Sequence, residues 1–122
     1  ILHDGVGHPR VAGTFARVLG HYVRDVKALT LMDALRKMTI SPARRLERRV
    51  LAMASKGRLQ RGADADIVLF DPVHILDRAT YREPTLPPVG IRDVVVNGTV
   101  VVRNGQLRQG VHPGRPVRAP VQ

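Results

Sequence analysis

The sequence contains no cysteine and no tryptophan, and only two tyrosines and two phenylalanines. Without cysteine, neither a disulfide framework nor a thiolate metal site can form within the chain, so any fold rests on packing. So few aromatic rings leave little to stack against nucleotide bases. Acidic residues are half as numerous as basic ones, 10 against 20, for a formal net charge of +10. All the basic residues are Arg except Lys27, Lys37 and Lys56, and they are scattered from Arg10 to Arg118, with only Arg44-Arg45 and Arg48-Arg49 adjacent. Such a distribution reads as a solvated surface, so nucleic acid is not the expected partner. No apolar run approaches the roughly 20 residues of a bilayer span, and Ile1-Leu2-His3-Asp4-Gly5 is no signal peptide. No membrane partner is expected, and the cytoplasm is the default location.

What is present is one domain's worth of chain, 122 residues with 43% hydrophobic content and enough glycine (11) and proline (9) for many turns. No Met opens the chain, and Ile1-Leu2 reads as the end of a strand running into a polar loop that lasts to about Gly13. The chain is therefore expected to begin in mid-fold, as a fragment. From Thr14, a plausible N-cap, to about Lys27, the residues Phe15, Val18, Leu19, Tyr22, Val23 and Val26 recur at helical spacing. Thr30 with Asp33 predicts the cap of a second helix whose face is Leu31, Ala34, Leu35 and Met38, ending near Thr39. Ser41-Pro42 predicts a third, with Ser41 as N-cap and Pro42 first in the helix, running through Ala43 and Leu46 toward Arg49.

The second half changes period. Asp66 to Pro72 holds a short apolar run, and the β-branched runs Ile91 to Val96 and Thr99 to Arg103 flank Asn97-Gly98, which predicts a hairpin over 94–103 through a type I′ turn. Asn104-Gly105 ends the returning strand. Residues 72–90, rich in proline, read as a long connection crossing between strands, and the tail from Pro113 reads as irregular. The chain by itself is thus α+β.

The richest group of chemical side chains is His3, Asp4, His8 and Arg10. A strand end feeding a glycine-rich loop is where an α/β barrel displays catalytic residues, and a carboxylate there can take a proton from water and return it to a leaving amine. Asp4 is that candidate, although an Asp-Gly pair is also an ordinary turn. Arg10 offers a planar fork that fits a carboxylate, or else a surface ion pair. His3 and His8 fit no standard metal spacing, His21 reads as a helix residue half buried against a neighbour, and His74 and His112 lie in connections with no nearby ligand types. Asp64, Asp66 and Asp71 flank a strand and suit turns better than acid–base work.

Three segments together resemble the C-terminal region of the N-acyl-D-amino-acid deacylases, the D-aminoacylase branch of the amidohydrolase superfamily. They are His3-Asp4-Gly5 through His8-Pro9-Arg10 with Gly13-Thr14-Phe15, Arg17 to Gly20 and Tyr22-Val23-Arg24; Ala34 to Thr39 with Pro42-Ala43; and Lys56 to Leu59 with Gly62, Ala65 to Pro72, Gly90-Ile91 and Val96-Asn97-Gly98. The resemblance implies the helical C-terminal end of a (β/α)8 TIM barrel over residues 1–55, followed over residues 56–122 by strands of a small β-sandwich. It implies a metal-dependent hydrolase acting on the amide of N-acyl-D-amino acids, with Asp4 as general base and acid toward metal-activated water. It also implies Arg10 on the substrate carboxylate, with His8 as a further substrate-binding candidate.

The resemblance further implies Zn2+ as cofactor of the intact enzyme, with its main ligands upstream of Ile1. No metal ligand is therefore assigned within the chain. The missing N-terminal part becomes a required partner, the piece alone is expected to be inactive, and its uncovered helix faces around Leu19, Tyr22, Leu35 and Met38 are expected to drive self-association. Departures from the family pattern are His3 where Ser is usual, a shorter loop from Asp4 to His8, and the stretch Leu46 to Ser55. Two other readings compete: a non-catalytic β-rich interaction module, and a cyclic-amide hydrolase of the hydantoinase or dihydroorotase kind.

Overall fold

A computed structural model describes residues 7–119. The first helix, α1, spans Arg10–Arg17 and continues without a break into a π-helix over Val18–Asp25. It starts four residues before the Thr14 cap that the sequence predicts. The physical reason is local: Pro9, at φ −59°, is already in helical conformation, and His8 Nδ1 accepts the Arg10 amide hydrogen at 3.1 Å. Thr14 lies inside the helix and donates its hydroxyl to the Arg10 carbonyl at 2.6 Å. The wide turns end where Val26 N donates to His21 O at 2.8 Å and Ala28 N to Tyr22 O at 2.9 Å, with Lys27 at φ 56°. A left-handed residue closing a helix by such long-range amide bonds is the π-widened counterpart of the Schellman end.

Helix α2, Leu31–Met38, is capped as its sequence predicts: Thr30 Oγ1 accepts from Asp33 N at 3.1 Å. Helix α3, Ile40–Leu46, follows at once with Thr39 rather than Ser41 at its N-cap position, where the Thr39 hydroxyl donates back to Leu35 O instead of capping, so Ser41 and Pro42 lie in its first turn and the helix stops short of Arg49. Proline costs nothing there because the first-turn amides have no intrahelical partner. A 3-10 turn over Leu51–Ser55, which the sequence pattern did not signal, completes the helical half.

Four strands make one antiparallel sheet in the order β1 (Ile67–Phe70), β2 (Ile91–Val96), β3 (Thr99–Arg103), β4 (Gln106–Leu107). The β2–β3 turn is the predicted one, since Asn97 (φ 45°) and Gly98 (φ 76°) are both left-handed and Val96 pairs with Thr99. Asn104 (φ 50°) and Gly105 (φ 76°) repeat this geometry, so that pair does more than end β3: it returns the chain into β4. The described residues therefore combine helices with a small antiparallel sheet.

The two halves meet at Ile75, which is 2% exposed and packs with Ala16, Leu19 and Ala34, flanked by Phe70 and Ile91 from the sheet. Full burial of one such side chain contributes about 1.5–3 kcal/mol. The segment that carries it does not merely cross between strands. It runs along the first helix, with Ile75 against Gly20, Asp77 against Gly13 and Arg17, and Tyr81 against His8. The helix therefore turns its small residues Gly13, Ala16 and Gly20 inward, all three buried. Of the apolar stripe read from the sequence, Leu19 is buried and Val18 and Val23 flank the core, whereas Phe15 (64%), Tyr22 (43%) and Val26 (53%) are exposed. Leu35 and Met38 likewise pack against the core rather than facing outward. Among the described residues no helix is long and apolar enough to cross a membrane.

Candidate functional site

His8, Pro9 and Arg10 open α1 at one end of a groove of about 690 Å³, whose walls are Thr14, Arg17, Val18 and Tyr22 of the helix and Asp77, Ala79, Thr80 and Tyr81 of the strap, the segment over residues 73–81 that runs along it. The groove exists because the glycine at position 13 brings the strap's Asp77 and Ala79 close to the helix backbone. Across it, Arg17 Nη1 lies 3.5 Å from Asp77 Oδ2, with Arg17 half exposed. At its mouth the Tyr81 hydroxyl lies 3.3 Å from His8 Nε2, and the two rings meet edge to face at 5.2 Å and 74°. Because His8 Nδ1 accepts the Arg10 amide, a neutral ring carries its proton on Nε2 and donates to Tyr81 Oη.

Of the residues the sequence singles out, His8 and Arg10 come together in this groove. His3 and Asp4 lie outside the described residues. His21 packs edge to face on Tyr22 at 4.9 Å, and His112 stands exposed in the tail. Tyr81, Arg17 and Asp77 were not anticipated from the sequence. The available signal was the Gly13, Ala16, Gly20 spacing, a helix face too small to form a core without a chain segment laid upon it.

The other charged residues form structural clasps. Lys56 Nζ binds Asp66 at 2.6 Å and Asp64 at 3.0 Å. The Asp66 bond chiefly raises the lysine above its ordinary value, against a smaller opposing effect of burial. Asp66 is held below the usual carboxylate range, first by the Asn97 amide donating to it at 2.8 Å and then by Lys56. Asp64 is lowered first by the Ser55 hydroxyl at 2.7 Å, then by Lys56. Asp71 accepts from Val73 N at 2.8 Å and pairs with His74 Nδ1 at 2.6 Å, and that pairing is the main cause of its lowered pKa. All three aspartates thus serve turns and ion pairs, as their positions beside a strand imply.

Among the described residues no three His, Cys, Asp or Glu side chains converge to hold a metal ion. These residues do not fit a zinc centre, which takes three protein ligands even when an open position is kept for water.

Residues 3–102 match the sequence profile described as the amidohydrolase family. The chain is 47% identical over 116 residues to an N-acyl-D-glutamate deacylase of Alcaligenes xylosoxydans xylosoxydans, a match that covers 95% of this chain and 22% of that protein. Its fold is similar to a crystal structure of D-aminoacylase described as defining a novel subset of amidohydrolases. The TM-score is 0.80 at 42% identity, over 90% of this chain and 22% of that one. It is also similar to an N-acyl-D-glutamate deacylase from Bordetella bronchiseptica complexed with zinc and a phosphonate inhibitor, a mimic of the reaction's tetrahedral intermediate. There the TM-score is 0.79 at 47% identity, over 92% of this chain and 22% of that one. The chain therefore spans 22% of the length of each of these three relatives. With the family profile matched over residues 3–102 of 122, the chain belongs to the amidohydrolase family.

Proposed function

We propose that this chain supplies the substrate-carboxylate side of the active site in a zinc-dependent hydrolase that cleaves the amide bond of N-acyl-D-amino acids. On this reading residues 1–55 are the C-terminal end of a (β/α)8 barrel and residues 56–122 contribute strands of a small β-sandwich. The observation that carries the reading is Arg10, in the first turn of α1 and lining the groove beside His8. A guanidinium there adds a bidentate donor to the positive end of a helix, and both favour an anion. The substrate carboxylate is that anion, and His8 lines the same rim, with Nδ1 on the Arg10 amide and Nε2 facing Tyr81. The deacylase names of the similar proteins support an N-acyl-D-amino acid as substrate.

Asp4, within the matched residues, is assigned the proton transfers. Its carboxylate takes a proton from the attacking water as oxygen bonds to the acyl carbon. It then gives that proton to the amide nitrogen as the C–N bond breaks, releasing a carboxylic acid and a free D-amino acid and returning Asp4 to its carboxylate. The zinc ligands, on this reading, belong to parts of the protein other than the described residues.

The test is metal content and N-acetyl-D-glutamate hydrolysis by the full-length protein in which this chain occurs. Asp4→Asn is expected to lower kcat about 100-fold or more while leaving bound zinc unchanged. Arg10→Ala is expected to raise KM roughly ten-fold or more. Full activity in Asp4→Asn, or no hydrolysis of any N-acyl-D-amino acid by the unmodified protein, would defeat the reading.

A further inference from the structure

The strap over residues 73–81 touches the first helix at every level. Arg24 donates to the carbonyls of Val73 (3.0 Å) and Ile75 (2.7 Å), Gly20 lies under Ile75, Arg17 faces Asp77, and the last contact is Tyr81 on His8. A helix held at several points along its length has one free variable left at its open end, the orientation of its first turn. Beside the backbone bonds from Val11 N to His8 O and from Gly13 N to Pro9 O, both 3.0 Å, that turn is tied to the strap by a relay of two bonds: Tyr81 Oη with His8 Nε2 at 3.3 Å, and the Arg10 amide to His8 Nδ1 at 3.1 Å. His8 uses both ring nitrogens, so its rotation is locked from both sides, and the edge-to-face contact with Tyr81 sets the ring plane.

We propose that Tyr81 is a positioning residue for Arg10. Through the Nε2–H form of His8 it holds the cap on the Arg10 amide, and thereby aims the guanidinium along the groove. This rests on the reading of Arg10 as the carboxylate-binding residue. Tyr81 touches neither substrate nor reacting atoms on this account, and its effect is on binding geometry rather than on the proton transfers of Asp4.

Two measurements test it. In nitrogen NMR of the full-length protein, His8 is expected as the Nε2–H tautomer; Tyr81→Phe, which keeps the ring and loses the hydroxyl, is expected to shift the imidazole nitrogens and to speed hydrogen exchange of the Arg10 amide about five-fold. In the full-length protein, Tyr81→Phe is expected to raise KM for N-acetyl-D-glutamate about five-fold. It should leave kcat within about two-fold, and leave the α-carboxamide analogue unaffected. In a His8→Asn background, where an amide oxygen can still cap Arg10 but no ring nitrogen faces Tyr81, Tyr81→Phe is expected to add nothing. Unchanged His8 and Arg10 signals overturn the proposal, as does a KM effect equal for both substrates or additive with His8→Asn. Arg10→Ala raising KM while Tyr81→Phe leaves it unchanged overturns this proposal alone. Arg10→Ala without effect on KM overturns the Arg10 reading and this one with it.

Discussion

The Arg24 guanidinium donates to the main-chain carbonyl of Ile75 at 2.7 Å, joining residues 51 positions apart. The same Nη1 also donates to Val73 O at 3.0 Å, and Nε holds Asp25 Oδ1 at 2.8 Å. One planar group thus satisfies two strap carbonyls and anchors itself to its own helix, a geometry that the single ammonium of lysine cannot reproduce. Arg24→Lys is expected to destabilise the protein by about 1–2 kcal/mol, read as a lower urea midpoint with unchanged slope. An unshifted midpoint would mean that the strap is held without this clasp.

The strap also depends on what the helix lacks. A Cβ at position 20 would stand 2.5 Å from Ile75 O, and one at position 90 would stand 2.5 Å from Ile75 Cα on backbone already at φ +82°. Neither neighbour is a side-chain tip that can swing away. Gly20→Ala and Gly90→Ala are each expected to cost about 2 kcal/mol or more. Gly98→Ala has the same left-handed backbone (φ +76°) but open space around it, and should cost only about 1 kcal/mol. Equal losses at all three positions in thermal or urea unfolding would refute the packing argument.

Lys56 ties residues before the sheet to the β2–β3 turn through Asp66, whose other oxygen accepts the Asn97 amide. The carboxyl groups of Asp64, Asp66 and Asp71 are all lowered in the folded state, so their contribution is present above the ordinary carboxylate range and is lost as pH falls through it. Lys56 is raised, so its contribution is complete below the ordinary lysine value and fades as pH climbs past it. Stability is expected to form a plateau between those limits. Lys56→Met should lower the plateau by roughly 1 kcal/mol, since water screens these pairs, and should flatten the alkaline edge. It should shrink the acid edge without abolishing it, because Asp66 retains Asn97 and Asp71 retains His74. Urea midpoints across the pH range check this; an acid edge identical in variant and parent would show that Lys56 does not set the aspartate pKa values.

The sequence by itself determined the features whose energetics are local. Asn97-Gly98 gives a two-residue turn because both residues tolerate positive φ, and the β-branched runs on either side leave the chain little else to form. Thr30 caps α2 because its hydroxyl reaches an amide three residues on. His8 and Arg10 were legible only as members of a polar loop, whereas the structure sets them at the start of α1. Tertiary structure decided the rest. Which face of the first helix turns inward depends on a strap some 50 to 70 residues later, so the apolar stripe of Phe15, Tyr22 and Val26 lost the interior to Gly13, Ala16 and Gly20. The π-turns bring Arg24 over Gly20 onto the Ile75 carbonyl, and Tyr81 reaches His8 only because the strap lies where it does. Periodicity reports a preference between oil and water, but close approach of two backbones is set by the absence of side-chain volume. That absence acquires meaning only when the second backbone arrives.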